Sequence, residues 1–217
     1  MRYRKSLVYM RTDEINRLQK VLETANIKLA SVATNVLGKS GREMIESLID
    51  GKDDPIALSE LAQGRLRAKL PQLEKALEGR VEAHHRLLLK QILAHIDFLE
   101  QQMEELLGEI EARMAPYKEF FDLLTTIPGI QLLTALTILS EVGTDLSTFP
   151  SSKHFASWIG VCPGNKKSAG KRLSGKTTKG NVYLRASEAL VSWCLSRLIG
   201  QLPLLPTASF CSSDGQA

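Results

Sequence analysis

The sequence predicts an all-α protein in two parts: a helical coiled-coil stalk, then a compact helical domain with a helix-hairpin-helix and a basic loop. Three observations predict it. Two apolar stripes in the first half repeat at alternating steps of three and four residues, the spacing of one helix face. Pro128-Gly129 then separates two further apolar helical segments. Finally, "NKKSAGKRLSGKTTKGNVYLR", residues 165–185, carries seven Lys or Arg and no acid. The expected division is 1–116 for the stalk, 117–199 for the compact domain and 200–217 for a disordered tail.

In the stalk, Ile15, Leu18, Leu22, Ala25, Leu29 and Val32 fall on one helical stripe from Thr12 onward. Gly38, Gly41, Gly51 and Pro55, with Asp53 and Asp54, mark turns around a short helix containing Met44, Ile45 and Leu48. A second stripe, Leu89, Ile92, Ile96, Leu99, Met103, Leu106 and Ile110, reads as a coiled-coil seam. It can pack against the first stripe in a hairpin, dimerise with a second chain, or do both. His84, His85 and His95 have no carboxylate or Cys at a ligand spacing, so no metal site is expected.

In the second half, Leu132, Leu133, Leu136, Leu139 and Val142 follow the Pro128-Gly129 turn. The pattern fits a helix-hairpin-helix, in which Gly129 lets the backbone approach a DNA phosphate and the free N–H groups of the second helix face it. It equally fits an ordinary αα-hairpin. Ser151 is a candidate cap for a short helix from His154 to Ile159 that Gly160 ends, with Trp158 read as core. A last helix starts near Asn181.

The chain has 217 residues, 43% of them apolar and 24% charged, which is ordinary for a globular protein and excludes wholesale disorder. Its net charge is +4, from 28 bases and 24 acids; without the seven bases of residues 165–185, 21 would face 24 acids. Basicity is therefore local, the footprint of a phosphate-binding loop. Cys162, Cys194 and Cys211 form no CxxC pair and are expected to be reduced. No apolar run approaches the roughly 20 residues of a membrane span, and the amino terminus lacks a signal-peptide core, so a cytoplasmic protein without membrane partners is expected.

The basic stretch has two readings. Gly170 to Thr177 literally matches G-x-x-x-x-G-K-[ST], a nucleotide-binding loop, although no buried strand precedes it and no apolar helix follows directly. The other reading is a clamp on a nucleic-acid backbone, where neutralising each phosphate releases counterions. Its contacts would be Lys166, Lys167, Gly170, Lys171, Arg172, Gly175, Lys176, Lys179, Gly180 and Arg185, with Pro128 and Gly129 at the hairpin turn.

"IPGIQLLTALTILSEVGTDLSTFPSSKHFASWIGVCPGNKKSAGKRLSGKTTKGNVYLR" resembles the carboxy-terminal domain of the insertion sequence 110 (also 116 and 902) family of transposases. "INRLQKVLETANIKLASVATNVLGKSG" and "LLLKQILAHIDFLEQQM" are similar to its linking helical region. The resemblance spans about residues 5–190 and is most specific over "PGNKKSAGKRLSGKTTKGNVYLR".

The resemblance implies DNA transposition by site-specific recombination, with an amino-terminal RuvC-like nuclease domain whose four carboxylates bind magnesium. It places the family's nucleophilic serine, in the "SAG" block, on Ser168, and implies a structured guide RNA, the bridge RNA, as partner. The stalk pattern begins within the first dozen residues, so the RuvC-like domain is expected to be missing. No cofactor is then expected in this chain, and Mg2+ only with that domain. The tail after about Ser192 and the Ala186-Ser187-Glu188 segment depart from the family's basic pattern. Two functions remain open: a transposase fragment with Ser168 as nucleophile, inactive without its metal-binding domain, or a non-catalytic DNA-binding and dimerisation module. The latter would modulate a full-length transposase, either as a homo-oligomer or by pairing with it through the coiled coil.

Overall fold

A computed structural model describes residues 1–126, 129–145, 147–161, 166–168, 171–174 and 179–185; of residues 152–153, 166–168, 171–174 and 185 it describes the backbone alone. Among these residues the chain is all-α apart from one small two-stranded hairpin. It divides into two compact units, residues 3–107 and residues 1–2 with 108–217.

The first unit begins with α1 (Arg2–Thr24), ten residues earlier than the stripe from Thr12 predicts. The stripe is not one helix. Asn26 takes a left-handed backbone with φ 60°, its N–H donates to Glu23 O at 2.9 Å, and Ile27 N–H donates to Leu22 O at 2.8 Å. These two bonds are a Schellman ending, in which an Asn replaces the usual Gly and the Leu22 and Ile27 side chains share the core. Helix propensity yields to a local stop, and α2 (Leu29–Val32) continues in a new direction. Lys28 N–H to Ala76 O (2.7 Å) and Arg80 N–H to Ala25 O (2.9 Å) tie this turn to the region around α5 (Leu70–Leu77).

Helix α3 (Lys39–Ile49) carries Met44, Ile45 and Leu48 into the core, as their spacing predicts. Helix α4 (Pro55–Ser59) starts where Asp54 accepts a hydrogen bond from Ile56 N–H and Pro55 supplies a preset φ. The long α6 (Ala83–Met114) runs antiparallel to α1, because Arg11 pairs with Glu100 (2.6 Å) while the later Glu14 pairs with the earlier His95 (3.2 Å). Leu89, Leu93, Ile96 and Leu99 are buried; Met103, Leu106 and Ile110 are half-buried. The first half of the predicted seam is thus filled within the chain.

Helix α3 also packs closely against the preceding turn. A Cβ on Gly41 would stand 2.2 Å from Val36 O, backbone that cannot swing away. Gly41→Ala is expected to destabilise the protein by roughly 1–3 kcal/mol, the usual cost of overpacking. Urea denaturation of the full chain followed by circular dichroism checks this; an unchanged midpoint contradicts it.

Candidate nucleic-acid interface

The second unit is built on α7 (Lys118–Thr125), α8 (Leu132–Val142) and α9 (Ser152–Ile159). Leu124, Ile130, Ala135, Ile138, Leu139, Phe155, Ile159 and Leu184 form its core. Between α7 and α8, Gly129 adopts φ 91°, a conformation other residues rarely take; Pro128 lies outside the described residues. Leu132 and Leu133, at the start of α8, are exposed, while Leu136 and Leu139 are buried. Gly143 (φ 77°) and Gly160 (φ 88°) end α8 and α9. Ser151 sits at the N-cap position of α9 without capping it; its hydroxyl is 2.8 Å from His154 Nδ1 instead.

The segment read as a basic loop contains an antiparallel hairpin, β1 (Lys166–Ser168) and β2 (Lys171–Ser174). Lys166 pairs with Ser174, Lys167 with Arg172 and Ser168 with Lys171, with a bulge between Lys166 and Lys167. Ser168 is therefore the last paired residue of β1. Four of the seven bases occupy strand positions. Gly170, Gly175 and Lys176 lie outside the described residues. The hairpin corrects the nucleotide-binding reading: a phosphate loop wraps successive N–H groups around one anion, whereas Lys171–Ser174, inside that motif, is paired strand. The strands show no apolar alternation that would have signalled the hairpin in the sequence.

Residues 180 and 181 are held against α9. A Cβ on Gly180 would lie 2.1 Å from Ile159 O and 2.3 Å from Gly160 N, so only glycine fits that approach. Asn181 N–H donates to Trp158 O at 3.2 Å. The Asn181 side chain works in both directions: Oδ1 accepts from Tyr183 N–H (2.9 Å) and Leu184 N–H (3.2 Å), capping α10 (Val182–Arg185), and Nδ2 donates to Glu141 Oε2 (2.8 Å). Leu184 is buried, Lys179 exposed, and Arg185 closes α10.

Glu141 also accepts two hydrogen bonds from Arg2, at 2.8 and 2.7 Å. Its side chain is only 4% exposed. The Arg2 bonds hold its carboxyl below the usual carboxylate range, burial opposes them, and the Asn181 amide adds a further lowering. Arg2 also lies over the Tyr183 ring, 5.0 Å from its centre. Neither Glu141 nor the side chain of Asn181 was assigned a role from sequence. An Asn preceding a helix is a legible cap signal, but the partner forty residues away is not.

Trp158 is not core. It packs against Phe149 (ring centres 5.3 Å apart) and Phe155 (6.1 Å), yet stays 39% exposed. Among the described residues no three His, Cys, Asp or Glu side chains gather as metal ligands. No helix among them is long and apolar enough to cross a membrane.

A small helical scaffold presenting a cationic hairpin is the class of structure this unit defines. Residues 121–201 match the Transposase IS116/IS110/IS902 family model, a span from α7 through the hairpin and past α10. The similarity covers 81 of the chain's 217 residues. No curated protein and no solved structure matches the chain.

Two outcomes follow for the anchor. Gly180→Ala forces the segment off α9 and is expected to lower the melting temperature by several degrees, on the order of 1–3 kcal/mol of overpacking; calorimetry decides. The Glu141 contribution, from a carboxyl lowered on folding, is fully present above the unfolded value of about 4.3 and is lost as pH falls through the lower folded one. Glu141→Gln should therefore flatten this part of the stability–pH curve below about pH 4.5, measured by chemical denaturation at stepped pH.

Proposed function

We propose that the family-matched unit acts in DNA transposition by gripping a DNA phosphodiester strand with the basic hairpin and attacking it with Ser168. The observation that carries this is the register: it sets Ser168 opposite Lys171 at the turn end of a hairpin rich in bases, inside the segment that matches the transposase family. Lys166, Lys167, Lys171 and Arg172 supply cations for the charge that builds on the phosphoryl oxygens. Lys179, Arg185, Lys176 and the glycines at 170, 175 and 180 extend the grip on the backbone, and the turn at Pro128-Gly129 opens α8 toward a further phosphate. A guide RNA is the second nucleic-acid partner.

In the step, the Ser168 hydroxyl oxygen bonds to phosphorus and loses its proton. The phosphorus–oxygen bond to one deoxyribose breaks, and the departing hydroxyl takes a proton. The phosphoserine ester keeps the bond energy for rejoining, so no nucleotide is consumed. Activation of the hydroxyl is assigned to the four-carboxylate domain of a full-length partner.

A second reading, a non-catalytic module that pairs with full-length transposase, is favoured by one observation: Met103, Leu106 and Ile110 continue the α6 stripe and are only half-buried.

Nicked suicide DNA mixed with the protein and a nuclease-bearing partner should trap a covalent adduct that Ser168→Ala abolishes. An adduct that survives the substitution, or none at all, removes the nucleophile and leaves the binding module. Lys171→Ala with Arg172→Ala should reduce the slope of log affinity against log salt by about 1.8 on duplex DNA, at roughly 0.9 for each phosphate no longer neutralised.

A further inference from the structure

We infer that Trp158 is a stacking platform for an unpaired nucleobase of the strand whose phosphates lie on the basic hairpin. The inference rests on the backbone-binding reading above and adds to it a contact with a base.

Aromatic residues of a small core are ordinarily covered. Phe155 is 2% exposed, whereas Trp158, three residues on and in the same ring cluster, is 39% exposed. Phe149 and Phe155 meet at 4.8 Å, edge to face, and both flank the indole. The ring is therefore held in place by packing while a large part of it faces water. That combination suits stacking, because the cost of ordering the side chain has been met in folding.

Its position selects the partner. The Trp158 carbonyl takes the hydrogen bond of Asn181 N–H, and the adjacent Ile159 backbone is the surface against which Gly180 is pressed. Residues 180 and 181, after six of the seven bases, are thus fixed against the backbone of Ile159 and Trp158, and Lys179, which precedes them, is exposed. A polyanion drawn to that segment passes an aromatic ring. A protein partner would not account for the local excess of bases, whereas a nucleic-acid strand accounts for both the cations and the ring.

The chain has two tryptophans, so Trp193→Phe leaves Trp158 as the only reporter. The full chain in this background is titrated with oligo(dT), with oligo(U), and with an abasic DNA strand of equal length and charge. A base-bearing strand, DNA or RNA, should quench Trp158 and bind roughly five- to hundredfold tighter than the abasic strand, the range found for one stacked base. Trp158→Ala should erase that preference and keep the abasic affinity, and Trp158→Phe should restore most of it. Equal, unquenched binding of all three strands overturns the stacking role while leaving backbone binding intact. Absence of binding to any strand overturns both. The abasic affinity also shows whether Trp158→Ala has kept the unit folded.

Discussion

The second unit depends on one side chain, the amide of Asn181. A primary amide has a donor end and an acceptor end, and here each is used for a different purpose. The acceptor satisfies the first N–H groups of α10, which no helical carbonyl can reach. The donor reaches Glu141 on α8, and the backbone N–H bonds to the Trp158 carbonyl near the end of α9. Three helices thus converge on one residue within the basic segment, after six of its seven bases. Asp in this place would cap α10 equally well but set a carboxylate against Glu141, and Ser would cap without reaching it.

This anchoring answers an electrostatic problem. Seven bases without an acid repel one another and favour an extended, solvated chain. Four of them stand in the two paired strands, which their mutual repulsion does not hold together. Gly180, pressed on the Ile159 backbone, and buried Leu184 provide close packing later in the segment, and Glu141 provides a nearby negative charge, itself compensated by Arg2.

The first unit has a different logic. Its fully buried residues, among them Leu18, Leu29, Met44, Leu58, Leu73 and Leu89, come from six separate helices, so the core is assembled between helices and not within any one of them. Buried Glu14 is held between Arg17 and His95. One end of α6 is buried against these elements, and Met103, Leu106 and Ile110 on its later stripe are half-buried.

The spacing of apolar residues determined the all-α class, the position of α3 and α8 and the long α6, because a helix face is a local, periodic property. Gly160 marked a helix end, and Pro55 with Asp53 and Asp54 marked a turn, because these residue types interrupt a helix locally. The local excess of Lys and Arg located the cationic segment, and family resemblance selected Ser168 among its hydroxyls. Other features were decided only in three dimensions. The stop at Asn26 needed a core that takes both Leu22 and Ile27. The hairpin at 166–174 was among them, since Lys-Lys-Ser and Lys-Arg-Leu-Ser have little strand preference of their own. The Glu141–Asn181–Trp158 connection, and the exposure of Trp158 itself, depend on contacts between residues distant in sequence. Periodicity shows which residues share a face; only packing shows which of them another helix covers.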